Sequence, residues 1–342
     1  MQNFSRRRVL HGAACCAGIA GSTAVLPARA QSFMGPAHTP AKPWTVVVPF
    51  PPGGRSSFIA QRLVVALADV LGETVVLEHK TGDSLREVEA FTNLPHDSRT
   101  LLMAMVRLPR RGVFKQDPEN TMLSRLEPIA LVAREPMVLA MSAHSAQKLE
   151  IDNLKELLRY ARKYPGKLTI ASGADGGTGD LAAELFKSMS QTYINRIASN
   201  SMSTDVAAVI SGQTDLLFEN VHLIKNAVRA KALRPLAYTA SPQQPPLNWD
   251  ALGLKQPVPR LYDMTEFSGY EIYDHHTLFA PPSMHASQVD LLSNSCMNAL
   301  ALPDYQNRLL ESFALPGNEN RLQFIALENT EEERWRKARG RW

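Results

Sequence analysis

The chain has 342 residues, 44% of them hydrophobic and 20% charged, a composition that excludes a disordered protein and leaves room for two buried cores. Lys and Arg total 37 against 33 Asp and Glu, but four of the basic residues are Arg6, Arg7, Arg8 and Arg29. Taking those four from 37 leaves 33 basic residues against 33 acidic ones beyond residue 30, and that neutral body argues against a nucleic-acid partner.

Residues 1–30 read as a cleavable export signal. Ser5-Arg6-Arg7-Arg8-Val9-Leu10 opens on paired arginines, a small apolar stretch rich in Ala and Gly follows, and Ala28-Arg29-Ala30 is a small-x-small cleavage site before Gln31. The arginine pair and the weak hydrophobicity favour a twin-arginine (Tat) signal over a Sec signal. Cys15 and Cys16 leave with it, so Cys296 alone remains and no internal disulfide is expected. No later stretch is long and apolar enough to span a bilayer.

Past a Pro-rich lead, Val46–Val48 reads as a buried strand and Phe58–Leu71 as an amphipathic helix closed by Gly72. Val75–Leu77 and Leu101–Met105 are further strands, with a weaker helix around Leu85–Leu94 between them. This alternation predicts a mostly parallel sheet with helices on both faces. Ile129–Met141, interrupted by Pro136, reads as a strand passing from one domain into the next. Asp152–Tyr164 is an amphipathic helix stopped by Pro165-Gly166, Leu168–Ala171 a strand, and Asp180–Met189 a helix with Asp180 as a plausible N-cap. Val206–Ile210, Leu216–Phe218 and Leu236–Tyr238 continue the alternation, 241–260 is a long Pro-rich loop, His276–Ala280 a returning strand, and the remainder helical.

Two glycine-rich bends follow strands and precede helices: 49-PFPPGGRSS-57 and 173-GADGGTGD-180. At such places backbone N–H groups and the positive helix end converge on an anion. Neither bend carries the lysine of a Walker loop or the GxGxxG of a dinucleotide fold, so a carboxylate is the better chemical match than a nucleotide. The alternative for the first bend is a tight strand-to-helix turn with no ligand. Ser56, Ser57, Thr178 and the amides around Gly54 and Gly179 are the natural donors, and Arg55 suits a second carboxylate or stands as a solvated loop residue. Asp180 suits a helix cap better than a ligand contact.

Catalytic motifs are missing: there is no G-x-S-x-G, no H-E-x-x-H and no CxxC. His275 and His276 would point to opposite faces of a strand and so would not share a metal. His96, His144 and Asp215 show no spacing that builds a triad. A binder is therefore expected rather than an enzyme, with no cofactor and no metal.

Trp44–Gly54 resembles the opening strand and loop of tripartite tricarboxylate transporter substrate-binding proteins of the Bordetella-uptake-gene type. Val75–Gly82 (VVLEHKTG), Asp97–Met103 (DSRTLLM), Glu127–Ala140 (EPIALVAREPMVLA), Gly177–Phe186 (GTGDLAAELF), Gly212–Phe218 (GQTDLLF), Met264–Tyr270 (MTEFSGY) and Phe279–Pro282 (FAPP) follow in that family's order. The resemblance implies an α/β type II periplasmic-binding-protein fold, two α/β domains with a ligand cleft between them. One domain would comprise 40–136 and 273–342, the other 137–272. It implies a monomeric periplasmic protein that captures a small organic acid and passes it to a membrane permease; a sensor partner and, less favoured, a secreted hydrolase are the alternatives. The ligand-binding set expected on these grounds is Phe50, Gly53, Gly54, Arg55, Ser56, Ser57, Gly177, Thr178, Gly179, Asp180, Ser199, Asn200 and Asp215. The chain departs from the family at Arg55-Ser56-Ser57, at Asp180, at Ser199-Asn200-Ser201 and at His275, so the charge arrangement of its pocket is expected to be rebuilt.

Overall fold

A computed structural model describes residues 42–82, 84–95, 98–106, 108, 118–173, 177–199 and 202–339. The export-signal segment, His96, Asn200 and Ser201 lie outside the described residues. The elements run β1 (Trp44–Val48), α1 (Arg55–Leu71), β2 (Val75–His79), α2 (Ser84–Thr92), β3 (Thr100–Val106), α3 (Pro118–Leu123) and β4 (Glu127–Ser142). Next come α4 (Ala143–Leu149), α5 (Leu154–Lys163), β5 (Thr169–Ala171), α6 (Thr178–Ser190), β6 (Asn195–Ile197), α7 (Met202–Ile210), β7 (Leu216–Asn220), α8 (Val221–Arg229) and β8 (Leu233–Tyr238). The chain returns through β9 (Tyr273–Ala280), α9 (Ala286–Leu300), α10 (Pro303–Glu311), β10 (Leu315–Asn320) and α11 (Arg321–Arg339).

The strands form a 10-stranded sheet ordered β2-β1-β3-β9-β4-β7-β5-β6, with β8 and β10 also paired to β4. Parallel pairing is confined to the two ends, where β1 joins β2 and β3 and where β5 joins β6 and β7. The expectation of a mostly parallel sheet is thus corrected: β4 runs antiparallel to β7, β8, β9 and β10, and β9 antiparallel to β3. A strand shared between two halves with a returning partner imposes this, because the return travels against it.

β4 is one continuous strand with two sets of partners. β9 pairs with it from Glu127 to Pro136 and β7 takes over at Met137. Pro136, which has no N–H to give a ladder, stands at the handover. There Met137 N donates to Thr239 Oγ1 at 2.9 Å and Thr239 N donates to Met137 O at 2.9 Å. Apolar side chains cover both faces of the sheet. Val46, Ile59, Leu63 and Leu292 pack one face of the first half and Val88, Leu102, Leu123 and Phe324 the other. In the second half Leu139, Leu157, Ala182 and Phe186 pack one face and Val138, Leu217, Ile224 and Trp249 the other. Cys296 lies in the first of these cores, where burial pushes its thiol up to about 12.

Other boundaries move by a turn or less. α1 starts at Arg55 rather than Phe58 and ends on Gly72 in the left-handed region (φ 64), whose N–H donates to Ala68 O. The expected cap at Asp180 is corrected as well: α6 opens at Thr178 behind Gly177, and Asp180 is its third residue. β10, read as helical from sequence, is a strand whose Gly317 has no room for a side chain, since a Cβ there would lie 1.8 Å from Leu131 O.

Candidate functional site

The first loop is shaped to start a helix. Gly53 takes φ +86, a left-handed value that favours glycine, and Gly54 is the extended N-cap of α1 with no side-chain cap. The leading N–H groups of this helix are therefore left to other acceptors. Ser57 is fully buried and turns inward: its hydroxyl lies 2.8 Å from His79 Nε2 and accepts from Gly53 N at 3.4 Å, tying the loop to the end of β2. Phe50 is half-buried against the β1–α1 core. Ser56 is buried, and its hydroxyl makes no hydrogen bond to another described residue.

The second loop repeats that geometry. Gly177 is the N-cap of α6, again with no side-chain cap. Gly179 allows the helix to approach the sheet closely, since a Cβ there would stand 3.1 Å from Phe218 O and 3.2 Å from Ser172 O. Thr178 Oγ1 donates to Asp274 Oδ1 at 2.5 Å. Asp180 is paired with Arg196 at 2.5 Å and accepts from Ser172 Oγ at 3.3 Å. Ser199 N donates to Gly173 O at 3.3 Å, and Asp205 Oδ2 accepts from Gly173 N at 2.8 Å.

Between the two loops lies a row of buried polar side chains that sequence reading missed. Glu135 of β4 and Asp274 of β9 are directly opposite partners, so their side chains share one face of the sheet. Arg55 Nε donates to Glu135 Oε1, and Arg55 Nη2 donates to Ser312 O at 2.9 Å. His276, two residues along β9 from Asp274, places Nε2 2.8 Å from Glu135 Oε2. His222, in the first turn of α8, brings Nδ1 to 3.3 Å from Oε1, an ion-pair separation outside hydrogen-bond geometry. Asn220, the N-cap of α8, donates from Nδ2 to Asp274 Oδ2 at 2.9 Å. The first residues of α1 and α6 and the opening of α8 thus all reach this one pair of carboxylates.

The acids of the site sit in different charge states. Burial alone would raise the Glu135 carboxyl, but the approach of His222, the hydrogen bond with His276 and the Arg55 charge outweigh it and hold the group well below the usual carboxylate range. The carboxyl of Glu219, near the end of β7, has one hydrogen bond among the described residues, accepted from Asn220 N at 2.9 Å. Burial, aided by the charges of Asp274, Asp205 and Glu135, pushes it up to about 8. His275 faces away from this row, toward Tyr273 at 5.7 Å between ring centroids, and burial with the Arg134 and Arg334 charges keeps it neutral. The two histidines do point to opposite faces, as alternation required.

Arg55 and Thr178 are brought to the shared row. Asp215 is not: it precedes the first residue of β7, at the opposite end of the parallel β5–β7 pair. It accepts there from Ser145 Oγ at 2.6 Å and from Thr169 N and Oγ1 at 2.9 Å each. A cavity of about 260 Å³ lies between α1 and α10, lined by Arg62, Val65, Asp304 and Arg308, away from both loops. Beside Thr178 and His275 the free space is about 20 Å³, room for about one water. Among the described residues no group of three or more His, Cys, Asp or Glu is placed to hold a metal, and no helix is long and apolar enough to cross a membrane.

The missed residues had a signal. Arg134-Glu135 interrupt an otherwise apolar, buried run from Pro128 to Met141, and 218-FEN-220 and 273-YDHH-276 put polar groups at the ends of buried strands. Polar side chains kept in such runs need partners, and here the partners are one another.

Comparison with known proteins places this arrangement. The sequence profile of the tripartite tricarboxylate transporter family receptors matches residues 59–339. A Pseudomonas sp. protein encoded in the tcbD-tcbE intergenic region is 27% identical over 338 residues, 98% of this chain and 94% of its own. Among solved structures, R. palustris Rpa4515 with adipate superposes with a TM-score of 0.66 at 24% identity, covering 89% of this chain and 98% of its own. The periplasmic binding protein BugD does so with a TM-score of 0.61 at 22% identity, covering 87% and 98%. At those identities the structural likeness speaks to the fold, that of periplasmic solute-binding proteins.

Proposed function

The chain belongs to the tripartite tricarboxylate transporter receptor family, and we propose that it is an exported solute-binding protein that encloses one small carboxylate-bearing metabolite and hands it to a membrane transporter. The observation that carries this reading is the convergence of two uncapped helix N-termini, those of α1 and α6, on one row of the sheet where β4 changes partners. Unfilled N–H groups and the positive helix ends suit a carboxylate. A handover point within a shared strand is where two lobes would turn against one another. In this reading residues 40–136 with 273–342 form one lobe and 137–272 the other. Gly53, Gly54 and Ser56 would meet the ligand from the first lobe and Gly177 and Thr178 from the second. Ser57 and Asp180 would position the loops instead. The adipate held by the R. palustris relative supports the ligand class.

Closure on a solute must rest on contacts made only in the closed form. The protein would act as a monomer in the periplasm after cleavage before Gln31, which N-terminal sequencing of the exported protein would check. The central test is thermal denaturation of the chain from Gln31 onward against carboxylic acids, amino acids and aromatic acids. Binding raises the melting temperature by mass action. A panel without a single shift, together with turnover of an ester or amide, would refute the reading.

A further inference from the structure

We infer that Glu135 serves as a built-in second carboxylate: by occupying Arg55 it makes the cleft select solutes with one carboxylate and reject dicarboxylates. This deepens the proposed function and rests on it. A ligand's second carboxylate, taken out of water, needs an unengaged cation or several N–H donors. Arg55 is the charged residue best placed to supply it, at the first position of α1 beside the uncapped loop. Two of its three guanidinium nitrogens are already used, Nε on Glu135 Oε1 and Nη2 on Ser312 O, and its side chain is only 12% exposed.

Other arginines around the row are also committed. Arg196 is paired with Asp180 and hydrogen bonded through Nε to Ser172 Oγ at 2.7 Å. Arg134, the neighbour of Glu135, is held by Glu319 and, at 3.3 Å, by Asn318 Oδ1. A solute's second carboxylate would instead meet Glu135 and Asp274 side by side on one sheet face. Repulsion of an unwanted charge discriminates as effectively as attraction of a wanted one.

Glu135 also joins the two halves of the site. It takes Arg55 from α1, His276 from β9 and the approach of His222 from α8, the set of contacts that a bound carboxylate bridging the lobes would make. One solute carboxylate then remains to be met by the uncapped helix starts at Gly54 and Gly177.

The test compares carbon-matched pairs (butyrate and succinate, valerate and glutarate, hexanoate and adipate) by calorimetry on the chain from Gln31 onward and on Glu135→Gln and Arg55→Gln/Glu135→Gln. The wild type should bind at least one monocarboxylate, and about tenfold or more tighter than its dicarboxylate partner. Glu135→Gln, which frees Arg55, should move that ratio toward the dicarboxylate by about tenfold or more, and the double variant, which frees no cation, should not. A wild type that binds a dicarboxylate as tightly as its partner overturns the inference and leaves the solute-binding reading standing. So does an unchanged ratio in a folded Glu135→Gln. If Glu135→Gln does not fold, the wild-type ratio decides alone. A wild type that binds none of the probes overturns the inference whatever Glu135→Gln gains, and the solute-binding reading is then decided by the wider panel of acids and the turnover assay.

Discussion

Glu219→Gln is expected to make the protein more stable, and increasingly so as the pH rises. The Glu219 carboxyl moves from its ordinary 4.5 when unfolded to about 8 when folded, chiefly by burial. Between those values the native state holds a proton that the unfolded chain has lost, so the stability associated with this group is complete below 4.5 and drains away as the pH climbs to about 8. At about 1.36 kcal/mol per pH unit the whole loss has a ceiling of about 5 kcal/mol. Glutamine cannot ionise, keeps an acceptor for Asn220 N and occupies nearly the same volume. The difference in unfolding free energy, variant minus wild type, should therefore grow by about 4 kcal/mol between about pH 5 and about pH 9. Urea unfolding at a series of pH values measures this difference directly, and the other titrating groups largely cancel in it. A difference constant to within about 1 kcal/mol over that range would mean that Glu219 is already ionised at neutral pH, and the buried-acid account of the site would fall.

Two further substitutions separate scaffold from site. Asp215→Ala removes an acceptor of three hydrogen bonds joining α4, β5 and β7; chemical denaturation should show a loss of about 2–4 kcal/mol, while calorimetry finds the affinity for a bound solute unchanged. A parallel fall in affinity would return Asp215 to the ligand site. Gly317→Ala puts a methyl group 1.8 Å from Leu131 O, and prising β10 from β4 should cost about 3 kcal/mol. A variant that unfolds with the wild-type midpoint would contradict the close approach of those two strands.

How much of this was legible in the sequence depended on what each residue had to signal. β4 could be read because its side chains are buried on both faces, which leaves an apolar run, and because Pro136 marks the place where its partners change. β10 could not: Leu-Pro-Gly-Asn-Glu-Asn has no strand propensity, and the reason for its Gly317 is the backbone of Leu131, far away in sequence. The expected cap at Asp180 failed for a related reason. Asp180 is an acid in the first turn of α6, where the helix dipole favours it, but its tie to Arg196 is a tertiary contact that no local pattern carries. The two loops were found because glycine, strand end and helix start lie together in the chain. Glu135 and Asp274 were missed because they come together only when β9 returns beside β4, 139 residues after it by number.

Glu135 and Glu219 are acids with opposite tendencies, coupled through their charges, and their difference makes a further prediction about binding. Glu135 has three basic neighbours and stays ionised; Glu219 has one backbone donor and three acids around it, Asp274, Asp205 and Glu135, and stays protonated until about pH 8. Ionising Glu219 adds a negative charge to a site that is to hold an anion. For charges about 10 Å apart at an effective dielectric constant of about 20, the repulsion is about 1.7 kcal/mol, or somewhat more than tenfold in affinity. The affinity for a carboxylate solute should accordingly be level below neutrality and fall as the pH passes about 8, with Glu219→Gln holding level throughout. Linkage is reciprocal, so binding near that pH must also draw in protons. Calorimetry in two buffers of different ionisation enthalpy would reveal that uptake in the wild type and its absence in the variant. An affinity that falls equally in both proteins would show that another group controls it, and that the protonated state of Glu219 has no part in holding the solute.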